Sequence, residues 1–148
     1  MGIICVKREA IFGAMLHGRH GFDCNPLKID PAEVLDKLYP EDALLCLATS
    51  KTDARTAPRE HWRGKEANFQ FIVPNPMTAL TGLNQDGEVS HRCHGNATTH
   101  RLYQIVEFDH GTVDEQITIV TNLNSMFTPL TMVVNSGGKS LHGWLDVR

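Results

Sequence analysis

The chain has 148 residues, with 14 Lys and Arg against 17 Asp and Glu and a formal net charge of -3. That length suffices for one domain with a hydrophobic core and needs no disulfide or metal staple. Hydrophobic residues at 41% and charged residues at 21% exclude general disorder. No apolar run reaches the roughly 20 residues of a membrane helix, and the slight acidity excludes nucleic-acid binding through bulk charge alone.

In chain order, the first stretch (MGIICVKREAIFGAMLHGRHG) lacks the basic, apolar and small-residue order of a signal peptide. Residues 30–39 read as a helix: Asp30 caps, Pro31 takes the first helical position, Glu33 completes a capping-box pattern and Pro40 stops it. Residues 43–49 (ALLCLAT) have the length and apolarity of a buried strand. Residues 51–65 are polar and basic, with Lys51, Arg55, Arg59, His61, Arg63 and Lys65 around Trp62. Residues 69–73 (FQFIV) alternate like a strand, and Pro74-Asn75-Pro76 breaks them. Residues 77–100 are rich in Gly, Asn and Thr and predict loops with one hairpin, turning near Gln85-Asp86-Gly87.

The last third is more regular. Residues 102–108 (LYQIVEF) form a strand candidate, and Thr112-Val113-Asp114-Glu115 opens a helix with a capping box. Ile117, Val120, Leu123 and Phe127 share one face of that helix, which Pro129 ends. Residues 130–134 (LTMVV) make a second strand, Ser136-Gly137-Gly138-Lys139 a tight turn, and residues 140–147 a third strand. The order β-α-β-hairpin-β matches the first two-thirds of a ferredoxin-like or RRM-like unit, in which the first and third strands pair.

The four cysteines, Cys5, Cys24, Cys46 and Cys93, are widely spaced without a CxxC, which favours a reducing, cytoplasmic setting. Two His-rich clusters, His17-x-x-His20-x-x-x-Cys24 and His91-Arg92-Cys93-His94 with His100, lack a paired-ligand pattern, so zinc is not expected. A harder metal is better served. Alternation puts Glu107 and Asp109 on one face of the first C-terminal strand if it runs that far. Two carboxylates there suit magnesium, which prefers oxygen ligands and keeps waters for substrate phosphate; a pair of solvated acids at a strand end is the plainer alternative. Ser140 and His142 share a face of the third strand, with Trp144 beyond. The Ser136-Gly137-Gly138-Lys139-Ser140 turn offers glycine backbone N–H groups and a lysine charge to an anion, or serves as an ordinary hairpin turn. It is not a P-loop: the first glycine of that motif falls on Val133, and a strand pattern follows.

Taken together, Val106-Glu107-Phe108-Asp109, Glu115-Gln116 and Ser136-Gly137-Gly138-Lys139-Ser140-Leu141-His142-Gly143-Trp144 resemble the catalytic core of the archaeo-eukaryotic primase superfamily. The subgroup most similar is the primase-like modules of phage, plasmid and mobile-element replication proteins; Trp62-Arg63-Gly64, residues 72–77 (IVPNPM), Thr81-Gly82 and Asp86-Gly87 resemble it too. The similarity runs from about Leu38 onward, and SGGKSLHGW is its most specific part.

The resemblance implies an α+β chain: a small N-terminal α/β unit over residues 1–100, packed on an incomplete RRM-like (ferredoxin-like) primase catalytic unit over residues 101–148 that lacks its last helix and strand. It implies Glu107 and Asp109 as ligands for Mg²⁺ or Mn²⁺ in a two-metal site, with the third acidic ligand absent from this chain. Ser136, Gly137, Gly138, Lys139, Ser140 and His142 would bind the nucleotide, with His142 counted among the catalytic groups. Arg55, Arg59, Arg63 and Lys65 would track template phosphates with Trp62 for stacking; a solvated loop is the equal alternative for that run. The implied partners are nucleoside triphosphates, a single-stranded DNA template, and a C-terminal helicase region or other replication proteins, with no membrane. The implied chemistry is primer synthesis by metal-assisted nucleotidyl transfer. The rival expectation is a truncated, non-catalytic module that binds nucleotide or single-stranded nucleic acid.

Overall fold

The computed structural model describes residues 4–5, 30–97, 101–126, 130–135 and 140–148. They belong to two compact units that divide between Leu102 and Tyr103. The architecture is α+β, and every strand pairing among the described residues is antiparallel. Among them no helix is long and apolar enough to cross a membrane.

In the first unit, β1 (Ile4–Cys5) precedes α1 (Pro31–Leu38), β2 (Leu44–Ala48), β3 (Arg55–Pro58), the single-turn α2 (Arg59–Trp62) and β4 (Phe71–Ile72). The expected cap is present: Asp30 Oδ1 accepts from Ala32 N at 2.9 Å, which satisfies one of the free N–H groups of the first turn. The sheet order is β1-β4-β2-β3. The apolar run 43–49 supplies β2, which has a neighbour on each side and is buried from Leu45 to Ala48. Its alternate residues serve different partners. Cys46 packs with Met77 and Ala97, and the carbonyl of Leu45 accepts the indole N–H of Trp62 at 3.3 Å. A hairpin of β5 (Gly82–Leu83) and β6 (Val89–Ser90) turns at Gly87, whose φ of 78° is the left-handed conformation that glycine tolerates. Strand β3 is the element that composition hid. It lies in the basic stretch, yet Thr56 and Ala57 are buried and pair with Cys46 and Leu45.

The second unit contains β7 (Tyr103–Phe108), α3 (Val113–Met126), β8 (Leu130–Asn135) and β9 (Leu141–Asp146). Its sheet order is β7-β9-β8. The first and third strands pair as expected, and β9, antiparallel to both neighbours, sits between them. Strands β7 and β8 therefore point the same way, joined through α3, in a split β-α-β arrangement. Helix α3 covers one face: Val120, Leu130, Val133 and Leu141 form the core there, with Phe108, Ile117 and Leu145 against it. A register shift between Leu130 and Met132 lets both Leu130 and Val133 reach that face, as a bulge does by adding one residue to a strand. Gly143 lies at the same contact. A Cβ there would come within 3.3 Å of Leu130 Cδ1 and 3.9 Å of Val120 Cγ2.

Candidate functional site

The opposite face of the second sheet carries three of the candidate residues, Glu107, Ser140 and His142. Cross-strand register pairs Glu107 with His142 and Ile105 with Trp144, and Ser140 lies two residues before His142 on the same side. His142 is buried, and its Nε2 lies 3.1 Å from Glu107 Oε1 and 3.2 Å from Ser140 Oγ. A carboxylate only accepts, so Nε2 carries a proton and donates to Glu107, with Ser140 Oγ as its second neighbour. Nδ1 of the same ring has no hydrogen-bond partner among the described residues. The Glu107 side chain keeps 49% of its surface exposed, so its carboxylate reaches solvent while the imidazole does not.

Asp109 is placed differently from expectation. The ladder ends at Phe108, and Asp109 stands exposed in the connection to α3. That connection turns at Gly111, where φ is 85°. The turn is tied down from below by Gln116, a fully buried side chain for which the sequence suggested no role. Its Nε2 donates to the carbonyls of His110 (3.3 Å) and Gly111 (3.4 Å), and its Oε1 accepts from Leu141 N at 2.8 Å. One amide thus links the segment after Asp109 to the strand of Ser140 and His142. A signal was present: Gln116 lies four residues before Val120, on the buried stripe of the helix. The helix start is capped as predicted, since Glu115 Oε2 accepts from Thr112 N at 2.7 Å and Glu115 N donates to Thr112 Oγ1 at 3.3 Å. The Thr112 backbone N–H first, and then the Thr112 hydroxyl at 3.0 Å from Oε2, hold the Glu115 carboxyl below its ordinary pKa.

Glu107 and Asp109 offer hard oxygen donors at or near the surface, the ligand type magnesium and manganese take. Among the described residues no three His, Cys, Asp or Glu side chains gather closely enough to hold an ion by themselves. The two carboxylates would leave most of an octahedral shell to water and phosphate oxygens. Asp146 does not supply the third acid. Its carboxylate is taken by Arg148, with Nε at 3.0 Å and Nη2 at 2.5 Å, and that guanidinium lowers its pKa. The Arg148 guanidinium also lies 5.7 Å above the Tyr103 ring, which packs on Trp144. Ser136, Gly137, Gly138 and Lys139 lie outside the described residues, as do His17, His20, Cys24, His100, Phe127 and Pro129.

The basic run of the first unit divides into interior and surface. Arg59 is buried, donates Nη1 to the Tyr39 carbonyl at 2.6 Å and pairs with Asp36. Trp62 is buried between edge contacts with His61 and Phe69. Both are committed to the core, where an indole offers no face to a base and a guanidinium no fork to a phosphate. Arg55, Arg63 and Lys65 are exposed; Arg63 contacts Glu41 and Lys65 Nζ donates to the His61 carbonyl. The second His-rich cluster is also drawn into packing. His91 Nδ1 lies 2.9 Å from the Leu80 carbonyl, the His91 carbonyl accepts from Thr56 Oγ1 at 2.6 Å, and Cys93 Sγ donates to the Leu83 carbonyl at 3.1 Å. Burial pushes the Cys46 thiol up, away from the reactive thiolate.

Compared with known proteins, the chain matches no family model, no curated protein and no solved structure.

Proposed function

We propose that the chain carries catalytic strands of a primase-like nucleotidyltransferase, with Glu107 and Asp109 facing a divalent metal and Ser140 and His142 facing the incoming nucleotide. The observation that carries this reading is the Glu107–His142–Ser140 cluster on the sheet face opposite α3. Glu107 meets Ser140 and His142, more than thirty positions away in sequence, because β7 pairs with β9. The split β-α-β order of β7, α3 and β8 around β9 supports an RRM-like unit as its frame. The partnerless Nδ1 of His142 supports a ligand-facing role, since a buried polar atom without a partner is costly unless another group reaches it.

In the proposed reaction a primer 3′-hydroxyl attacks the α-phosphate of a nucleoside triphosphate. The new phosphodiester bond forms as the bond to pyrophosphate breaks, the hydroxyl proton passes to solvent water, and a bound divalent metal would supply positive charge to the phosphate oxygens. Glu107 and Asp109 would hold the metal, while His142, donating toward Glu107, fixes that carboxylate's orientation. The test is Mn²⁺ titration of the full chain by calorimetry. Glu107→Ala and Asp109→Ala should each weaken binding about tenfold or more, as loss of a charged ligand does; unchanged affinity in both overturns the assignment. Template-dependent primer synthesis lost in both variants supports the enzyme. Binding of nucleotide or single strand without synthesis assigns the chain to the non-catalytic module instead.

A further inference from the structure

The first unit holds a cleft of about 460 Å³ that the proposed catalytic residues do not use. One wall is the turn with Lys51 and Thr52; the other is the β5–β6 hairpin with Asn84, Gln85 and Asp86, followed by Arg92. That volume lies in the range of small-ligand sites and accommodates one nucleotide unit.

Both walls are fixed before any ligand arrives. In the first, Asp53 Oδ1 accepts from Ser50 N at 2.7 Å, Asp53 also bonds Thr49, and Ser50 Oγ lies 3.3 Å from Thr52 Oγ1. The Thr49 hydroxyl first, and then the Ser50 N–H, hold the Asp53 carboxyl below its ordinary pKa. In the second, Asn84 Oδ1 accepts from Asp86 N (2.9 Å) and Glu88 N (2.8 Å), which sets the hairpin turn. The segment leading to Arg92 is anchored through His91 to Thr56 and Leu80. Ser90 Oγ accepts from Arg92 N at 3.1 Å. Lys51 and Arg92 enter no ion pair among the described residues. Asp86 is the one acid among the lining residues, so the cations predominate two to one. The hairpin also exposes a cross-strand apolar pair, Leu83 at 66% and Val89 at 75%, and Leu83 lines the cleft.

Two cations on hydrogen-bonded loops, beside side-chain amides and an apolar rim, match the parts of a nucleotide: phosphate, base edge and sugar or base face. We propose that this cleft binds a phosphate-bearing nucleotide unit, with Lys51 and Arg92 on the phosphate, Asn84 and Gln85 toward the base edge, and Leu83 against the sugar or base. The anion site stands on the cleft alone; the choice of a nucleotide over another phosphate rests on the primase-like reading.

The test uses the full chain and three probes: a labelled oligothymidylate followed by anisotropy, thymidine monophosphate and inorganic pyrophosphate. Lys51→Ala and Arg92→Ala should each weaken oligothymidylate binding about five- to tenfold and flatten its salt dependence by about one phosphate contact. Arg92→Lys keeps the charge and should retain most of the affinity, which separates a lost contact from a disturbed fold. Asp86→Asn should tighten binding. Lys37→Ala, an equal loss of charge on α1, should leave binding unchanged. Equal affinity in wild type, Lys51→Ala and Arg92→Ala, or no binding of any probe by wild type, overturns the proposal. Binding of pyrophosphate alone overturns the nucleotide assignment. The Mn²⁺ titration of Glu107→Ala fails or succeeds independently of all these arms, so the two readings fall separately.

Discussion

Replacing Gln116 tests how the site is held together. The side chain is fully buried and serves three backbone groups. Gln116→Leu keeps the approximate volume and removes all three bonds. The Leu141 N–H then loses its acceptor inside the protein, which costs roughly 1–3 kcal/mol, and the two longer bonds add about 0.5 kcal/mol each. The expected loss is about 2–4 kcal/mol, or roughly 8–16 °C in Tm at ~4 °C per kcal/mol for this chain length. Gln116→Glu sharpens the reasoning. An ionised carboxylate still accepts from Leu141 N, but it faces the His110 and Gly111 carbonyls with no proton to donate. Burial and those carbonyls raise the pKa of the introduced acid above its unfolded value. The variant should therefore match wild type most closely below the unfolded value and lose stability as pH rises toward the raised one. Thermal melts across pH, with hydrogen exchange at the Leu141 amide, read both effects. A Gln116→Glu protein as stable as wild type at neutral pH, with Leu141 still protected in Gln116→Leu, would refute the three-way bridge.

Trp62→Ala should destabilise the first unit by about 3–5 kcal/mol, the usual cost of removing a buried aromatic, and Arg55→Ala, at an exposed position on β3, should leave its Tm unchanged; a near-neutral Trp62→Ala would return the indole to the surface. The wild-type chain should lose stability on acidification, because Glu115 and Asp146 have folded pKa values lowered by Thr112 and Arg148. Their contributions are present above the unfolded carboxylate values and vanish as pH falls through the lowered ones. Glu115→Gln should flatten that acid limb in a melt series, and an unchanged slope would count against the cap. His142→Ala should lower nucleoside triphosphate affinity in calorimetry, with His142→Gln recovering part of it through an amide donor toward Glu107; equal affinity in all three proteins would remove His142 from the nucleotide site.

Much of the frame was legible in local pattern. The Asp30 and Thr112 caps, the apolar run of β2, the hairpin at Gly87 and the β-α-β-β order follow from short-range physical chemistry, and they stand at those residues. Two elements resisted the same reading for physical reasons. Strand β3 hides in a basic run because its buried residues, Thr56 and Ala57, are adjacent and so lie on opposite faces, which leaves no alternation to register. Asp109 shares the face of Glu107 only if the strand runs that far, and period-two counting has no way to tell that the ladder stops at Phe108.

By itself, the sequence singled out candidate residues, the acids at 107 and 109 and the serine and histidine at 140 and 142, and determined the α+β alternation on which they lie. Length alone suggests one domain and the motif order implies two parts meeting near residue 100; the described residues form two units that divide between Leu102 and Tyr103. Only the tertiary structure decided which of those residues meet. Antiparallel register brings Glu107 and His142 to 3.1 Å, and the end of β7 leaves Asp109 outside the ladder. Burial takes Arg59 and Trp62 into the core, and one buried amide at Gln116 joins the segment after Asp109 to β9. Those outcomes depend on strand pairing and on what lies beneath a side chain, and neither is encoded in the spacing of residues along the chain.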